Sequence, residues 1–303
     1  MTGATLDQGA GHNPFERMQT PSTAALDPGR ASYWLSAGLA ATALVAGATT
    51  FVAKDSIAGP AVAVGSARGT ALVVAVVAVP ALVGAMWSSR HGSLRAIIVW
   101  LGAAAYLLYN AVMLLFATPY NRFFLVYVAM LGFSLWSIGA VLVQTDATGL
   151  ARRVTGPLPR RGIAIYAWIV AVLNALIWLR TIIPTMTADH PGSVLLGTGV
   201  ATNPVYIQDL AIWIPLAVVG ALWLWRGLPW GYVLTASLLT LWVIEALGIA
   251  VDQWFGSQAD PNTDFASAAM TPAFLAWAVV GLVPLALALR PLRRAALLST
   301  EGF

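Results

Sequence analysis

The sequence predicts an all-α integral membrane protein, a bundle of about eight transmembrane helices with both termini in the cytoplasm. Three observations lead to this prediction. Of the 303 residues, 59% are hydrophobic and only 9% are charged, well below the roughly 25% charged residues that are usual in soluble domains. Apolar segments of about 20 residues, long enough to cross about 30 Å of hydrocarbon, recur along the chain. Basic residues are concentrated in alternate connections.

The chain divides into two tails and one membrane domain. Residues 1–31 are rich in Gly, Pro, Thr and Ala and have no apolar period. Such a segment cannot bury enough apolar surface to offset the entropy lost on folding, so a disordered cytoplasmic tail is expected. Residues 32–290 form the transmembrane domain, and residues 291–303 form a short cytoplasmic tail. The first apolar run lacks a clear cleavage site, which favours an uncleaved helix over a signal peptide.

Eight apolar segments are expected to span the membrane. They run approximately from Tyr33 to Ala53, Gly69 to Trp87, Ala96 to Ala117, Phe123 to Val143, Gly162 to Ile183, Tyr206 to Trp225, Tyr232 to Val251, and Pro272 to Leu289. Short connections containing Pro and Gly predict that successive helices pack as antiparallel neighbours. Two longer connections, Pro184–Val205 and Asp252–Thr271, are expected on the extracytoplasmic side.

Orientation follows from the distribution of basic residues, because short cytoplasmic loops retain positive charge. One side of the predicted bundle collects Arg17, Arg30, Arg90, Arg95, Arg152, Arg153, Arg160, Arg161, Arg226, Arg290, Arg293 and Arg294. The other side collects Lys54, Arg68, Arg122 and Arg180. Twelve basic residues against four place both termini in the cytoplasm, which agrees with an even number of spans. The inner (cytoplasmic) membrane is the expected location.

Several classes of function are disfavoured by the residues that the sequence lacks. It contains no cysteine, and its three histidines, His12, His91 and His190, lie in the tail or in loops. A bis-histidine haem, a thiolate metal site and a histidine-based metal centre therefore have no ligands within the predicted spans. There is no phosphate-binding GK[ST] loop. No cofactor, metal or nucleic-acid partner is expected, and a non-enzymatic role is favoured.

The stretch LWVIEALGIAVDQW, residues 241–254, places two acids in or beside a predicted span. A charge at the centre of a bilayer costs several kcal/mol, so Glu245 is expected to face protein or water and to find a partner. Arg180 is the partner that the sequence suggests. Such a pair could join the fifth and seventh helices, or Glu245 could bind a ligand or a proton. Asp252, seven residues further on, is expected near the outer surface. It could also bind a ligand or a proton, or it could simply be solvated there.

Other polar residues are expected at a similar depth on neighbouring helices. Tyr109 and Asn110 lie on one stripe of the third helix, Asn174 lies near the middle of the fifth, and Asp209 lies in the first turn of the sixth. Together with Glu245 they predict a polar cavity that opens to the outside. Simpler roles remain open: the asparagines could bond neighbouring helices, and an acid in a first turn complements the helix dipole.

Two segments carry a resemblance to a known family. They are YNAVMLLFATPYNRFFLVYVAMLGFSLW (Tyr109 to Trp136) and NPVYIQDLAIWIPLAVVGALWLWRGLPWGY (Asn203 to Tyr232). They resemble a family of uncharacterised bacterial, actinobacterial polytopic membrane proteins, in which a Tyr-rich helix and an FFLVYVA-like helix precede an acid-initiated helix that ends in a basic RPWGY-like turn. The resemblance implies a multi-helix membrane bundle and no particular activity.

Two functions are consistent with these features. The first is proton- or cation-coupled secondary transport of a small solute from the outer side, with Glu245 as the titratable group and Arg180 as its alternating partner. The second is a non-catalytic membrane sensor, assembly factor or subunit that holds a partner in the membrane. Expected partners are therefore the lipid bilayer, a small-molecule ligand and a membrane subunit. An enzyme that acts on lipid is a third possibility, which no residue spacing singles out.

Overall fold

The described residues form an all-α bundle with eight helices that are long and apolar enough to cross a membrane, as predicted. The computed structural model describes residues 28–53, 57–154, 157–190, 192, 195 and 200–292. We label the spanning helices α1 (Gly29–Val52), α2 (Ala61–Arg90), α3 (Leu94–Phe116), α4 (Phe124–Gln144), α5 (Arg160–Met186), α6 (Pro204–Trp225), α7 (Pro229–Ala259) and α8 (Met270–Leu289). The chain is therefore a multi-pass membrane protein.

The expected tails fall mostly outside the described part of the chain. Residues 1–27 and 293–303 are not described, so the expected disorder of the N-terminal tail stays a prediction. Helix α1 begins at Gly29, slightly before the predicted boundary of the tail. A short helix, Ala147–Arg152, follows α4 and is not numbered because it does not span the membrane. Asp146 caps it by accepting a hydrogen bond from Gly149 N at 2.9 Å.

Charged residues distinguish the two ends of the bundle. Helices α2, α4, α6 and α8 finish at one end, where Arg95 Nε donates to the Leu292 carbonyl at 2.8 Å and Arg161 lies over the Trp225 ring at 5.4 Å. We call this the arginine-rich end. Helices α1, α3, α5 and α7 finish at the opposite, arginine-poor end. Large apolar side chains on α4, α5 and α8 are exposed on the outside of the bundle, where lipid would cover them.

Helix α7 is the centre of the bundle and packs against α2, α3, α6 and α8. Small residues permit these close approaches. A Cβ at Gly102 of α3 would meet the Thr240 side chain and would lie 2.5 Å from the Ser237 carbonyl oxygen of α7. Interfaces between membrane helices favour small residues because dispersion contacts between close backbones, rather than the hydrophobic effect, hold the helices together.

The contact between α2 and α7 explains why both helices are longer than the sequence predicted. Gly65 and Gly69 form a Gly-x-x-x-Gly motif, and a Cβ at either position would lie 2.6 Å from a carbonyl oxygen of α7, that of Phe255 or Val251. Helix α2 begins at Ala61 instead of Gly69, and α7 ends at Ala259 instead of Val251. Polar residues lower the hydropathy of these turns, but the close packing keeps them helical.

Two helices contain a π-helical turn immediately before a proline. The turns are Val74–Ala78 in α2 and Asp209–Trp213 in α6, and Pro80 and Pro215 each follow the first residue of the turn by six positions. Proline has no N–H to donate, and its ring crowds the carbonyl four residues earlier, so a widened turn accommodates it. Pro284 lies within regular α8 without such a turn.

Candidate functional site

The first turns of α6 position two adjacent polar side chains, Gln208 and Asp209, which are both buried. Asn203 begins the helix by accepting a hydrogen bond from Val205 N at 3.0 Å, a common N-cap arrangement. The π-helical turn then starts at Asp209 itself. A π-helical turn changes the rotation of Asp209 relative to the residues of α6 that follow the turn.

Asp209 is held by side chains from α5. Its Oδ2 atom accepts hydrogen bonds from Trp178 Nε1 at 2.8 Å and from Asn174 Nδ2 at 3.3 Å. Asn174 and Trp178 are four residues apart and therefore share one face of α5. The Tyr109 side chain of α3 lies next to the same carboxyl group. Three helices therefore meet at Asp209, which is only 5% exposed.

Gln208 links α6 to α3. Its Nε2 atom donates to the Tyr109 carbonyl at 3.5 Å, and its Oε1 atom accepts from Trp213 Nε1 at 3.2 Å. The Tyr109 and Trp213 rings lie with their centroids 6.3 Å apart. The side-chain amide of Gln208 therefore helps to position Tyr109 relative to Asp209.

Glu245 lies near the middle of α7 and is partly exposed. Asp209 and Asp252 are the charged residues that act on it, and Glu245 forms no hydrogen bond or ion pair with any described residue. Unlike Asp209, it is therefore an intramembrane acid without a compensating donor. A charge in such a place costs several kcal/mol unless a proton, a cation or water compensates it.

The expected ion pair between Glu245 and Arg180 is not formed in this structure. Arg180 is exposed, and no hydrogen bond or ion pair joins it to Glu245. The physical reason is the rotation of α5: Trp178 faces α6, and Arg180, two residues later, lies about 200° further around the helix. Helix α5 packs chiefly against α6, so this face turns away from α7.

Asn110 and Tyr106 lie one turn apart on α3. Asn110 Nδ2 donates to the Tyr106 carbonyl at 2.9 Å, so the side-chain amide is bonded to the backbone of its own helix. The Tyr106 side chain is completely buried, and its hydroxyl has no hydrogen-bond partner. A Cβ at Gly248 of α7 would lie 2.8 Å from this hydroxyl oxygen. Gly248 therefore admits the hydroxyl to the face of α7 that carries Glu245.

Asp252 lies within α7 and not in the connection that was expected to begin there. It is partly exposed, but its Oδ1 atom is buried without a hydrogen-bond partner, and its carboxyl group lies beside Ser66 of α2. Solvation therefore does not explain this oxygen. The Gly65-x-x-x-Gly69 spacing is the sequence feature that could have predicted this close approach of α2 to α7.

The predicted site residues thus fall into one group, one outlier and Asn110, whose side chain bonds to the backbone of its own helix. Asn174, Asp209 and Tyr109 come together on α5, α6 and α3, and Glu245 and Asp252 lie beside them on α7. Arg180 lies outside the group. We call the three acids Asp209, Glu245 and Asp252 the acidic row. No set of three His, Cys, Asp or Glu residues is arranged to hold a metal ion in the described residues.

Two surface clefts contain none of the three acids of the acidic row in their lining. The larger, of about 270 Å³, is lined by Gly65, Arg68, Trp254, Phe255, Gln258 and Ala259. The smaller, of about 120 Å³, is lined by Leu114, Leu115, Thr118, Pro119, Tyr120, Asn121, Phe124 and Tyr127. Both are at the arginine-poor end. Neither is the polar cavity that was expected between α3, α5, α6 and α7.

Comparison with known proteins identifies no relative. No family model matches the chain, and no curated protein or solved structure matches it. The resemblance to uncharacterised bacterial membrane proteins therefore stays a prediction, as does the alternative of a non-catalytic sensor, assembly factor or subunit. The class that the fold defines is an eight-span, all-α membrane protein.

Proposed function

We propose that the protein is a proton-coupled secondary transporter in which Glu245 binds the coupling proton. The observation that carries the proposal is the contrast between two acids of the acidic row. Asp209 has two side-chain donors from α5, whereas Glu245 has no donor or cation among the described residues. An unpaired acid at membrane depth is costly to keep, and acids in such places mark proton or ion pathways.

The arrangement of charges favours binding of a proton or another small cation. Asp209 and Asp252 act on Glu245 with the same sign of charge, and like charges disfavour one another's ionised forms. Addition of one proton to Glu245 removes a charge from this group without requiring Arg180. The proton therefore compensates the charge of Glu245, which is the role that was expected for Arg180 from the sequence.

The irregular start of α6 is the second support. Secondary transporters commonly bind their substrate and coupling ions where a helix is interrupted near the middle of the membrane, at a site that alternate conformations expose to opposite sides. In this chain Asp209 begins a π-helical turn and contacts α5. Movement of α5 and α6 relative to α7 would change the distance between Asp209 and Glu245, and with it the affinity of Glu245 for a proton.

Charge movement tests the proposal without a known solute. Purified protein in liposomes is adsorbed on a supported membrane, and the external buffer is switched rapidly from alkaline to acidic. Wild type is expected to give a transient current as protons enter the site. Glu245→Gln keeps the size of the side chain but cannot be protonated, and it is expected to give none.

Asp264→Asn is the matched control, because Asp264 is an exposed acid in the connection after α7. This variant should retain the wild-type current. A wild-type signal no larger than that of empty liposomes, or an unchanged signal in Glu245→Gln, would overturn the proposal.

A further inference from the structure

We propose that protons reach Glu245 from the arginine-poor end of the bundle through Asp252 and the hydroxyl of Tyr106. This inference rests on the proposed function and adds the route and the direction from which the proton enters. By the distribution of basic residues, the arginine-poor end is expected to face the outside.

The position of Tyr106 is the main argument. Its hydroxyl lies against Gly248, and Glu245 and Asp252 are three residues before and four residues after that glycine. Residues three and four apart on a helix are neighbours, about 5–6 Å between their Cβ atoms. The hydroxyl therefore lies against a position that is one helical turn from each acidic residue, and the charges of both residues act on it.

The absence of other hydrogen bonds at these groups is the second argument. The Tyr106 hydroxyl and Asp252 Oδ1 are both buried without a partner among the described residues. A buried hydroxyl that makes no bond costs free energy, about 1–3 kcal/mol by comparison with mutated proteins. Phenylalanine would fill the same space without that cost. A hydroxyl retained here is explained if it bonds transiently to a carboxyl group.

In the described part of the chain, no lysine or arginine acts on the groups of this route, and Asp209 is the further carboxyl group that acts on Glu245. Glu245 faces Asp209 of α6 and the two tyrosines of α3, Tyr106 and Tyr109. Ser66 of α2 lies beside Asp252, and α8 contains no charged residue. The Arg68 guanidinium on α2 is directed elsewhere, since its Nε donates to the Phe51 carbonyl at 3.1 Å. A proton on Asp252 is therefore not displaced by an arginine.

Proton transfer along this route conserves the number of protons and the total charge of the three groups. Protonated Asp252 gives its proton to the Tyr106 oxygen while the Tyr106 hydroxyl proton passes to the Glu245 carboxylate. Asp252 is left as a carboxylate, Tyr106 again carries one hydroxyl proton, and Glu245 is a carboxylic acid. Asp252 then takes a new proton from water at the end of α7. Rotation of the two carboxyl side chains brings both of them to the hydroxyl at the same time for this transfer.

The test uses the same current measurement and compares rates. In Tyr106→Phe and Asp252→Asn the transient is expected to slow by about 100-fold, the lower part of the range for a positioned proton-transfer group. The total charge moved should remain, since Glu245 is intact and is protonated by a slower path. Tyr120→Phe is the control, because Tyr120 is exposed in the connection after α3.

Stability separates this role from a structural one. Tyr106→Phe removes a hydroxyl that lies near the Asn110 side chain and has no hydrogen-bond partner among the described residues, so its melting temperature should equal or exceed that of wild type. Wild-type rates in both Tyr106→Phe and Asp252→Asn, with Glu245→Gln silent, would overturn the route and leave the proposed function standing. A silent wild type would instead overturn the proposed function, and the route with it.

Discussion

The indole Nε1 of Trp178 donates a hydrogen bond of 2.8 Å to Oδ2 of Asp209 and so joins α5 to the start of α6. Helix α5 is otherwise one of the more exposed helices of the bundle. A hydrogen bond to a charged or partly charged acceptor in a buried place contributes about 1.5–3 kcal/mol. This contact therefore accounts for a substantial part of the attachment of α5.

Replacement of Trp178 by phenylalanine tests that contribution. The ring contact with Tyr206, at 4.9 Å between centroids, is largely retained, but Asp209 loses its shortest donor. We expect the apparent melting temperature in detergent to fall by several degrees. Trp136→Phe is the matched control, because Trp136 lies on the outside of α4 and is 72% exposed. Equal melting temperatures for the two variants would contradict the assignment.

Two acid-to-amide changes should have opposite consequences. Asp209→Asn replaces one acceptor oxygen by a donor beside Trp178 and Asn174, so a loss of stability is expected. Glu245→Gln removes a charge that no described residue compensates, so stability should be unchanged or improved, as at sites kept for function at a cost to folding. Thermal unfolding of both variants in one detergent measures this. A large loss in Glu245→Gln would indicate a structural pair.

Gly102 and Gly132 form a second contrasting pair. Gly102 lies against Thr240 and Ser237 of α7, whereas a Cβ at Gly132 of α4 would meet no atom within 4 Å. Gly102→Ala should destabilise the bundle by about 1–3 kcal/mol through overpacking. Gly132→Ala should be neutral or stabilising by about 0.5–1 kcal/mol, because alanine loses less entropy in a helix. Similar unfolding curves for the two variants would argue against the close contact of α3 and α7.

A buried hydrogen-bond chain joins α3, α1 and α4. Trp100 Nε1 donates to Ser36 Oγ at 2.8 Å, and Ser36 Oγ donates to Ser137 Oγ at 3.1 Å. Ser36→Ala removes both bonds and leaves the indole N–H unpaired, whereas Ser137→Ala removes one. At about 1 kcal/mol for each bond, Ser36→Ala should be the more destabilising variant in thermal unfolding. The reverse order would mean that the chain does not run through Ser36.

The absence of cysteine allows a direct test of orientation. In intact cells, a membrane-impermeant maleimide should label D264C, because the arginine-poor end is expected outside. R226C should react only after the membrane is permeabilised, since short arginine-rich loops stay in the cytoplasm. Both positions are exposed in the structure. Labelling of R226C in intact cells, with D264C protected, would reverse the orientation and the direction of the proposed proton route.

The sequence predicted well whatever depends on the composition of a single segment. Eight spans and the helices that carry Tyr109, Asn174, Asp209 and Glu245 follow from runs of apolar residues and short Pro- and Gly-containing connections. Asp252 was expected in a connection and lies within α7. It also predicted correctly that α3, α5 and α6 bring Tyr109, Asn174 and Asp209 together. The membrane makes these features predictable, because each backbone group must be satisfied within its own helix.

Only the tertiary structure decided which polar side chains form hydrogen bonds or ion pairs with one another. Spacing placed Arg180 at a suitable depth for Glu245, but the rotation of α5 presents Trp178 and Asn174 to α6 and turns the arginine away. The lengths of α2 and α7 depended on the contact of Gly65 and Gly69 with α7, which no single segment reveals. Rotation and close approach are set by packing between helices. For that reason the sequence determined where the acids lie along the membrane, and only the fold determined that no cation of the described residues lies beside Glu245.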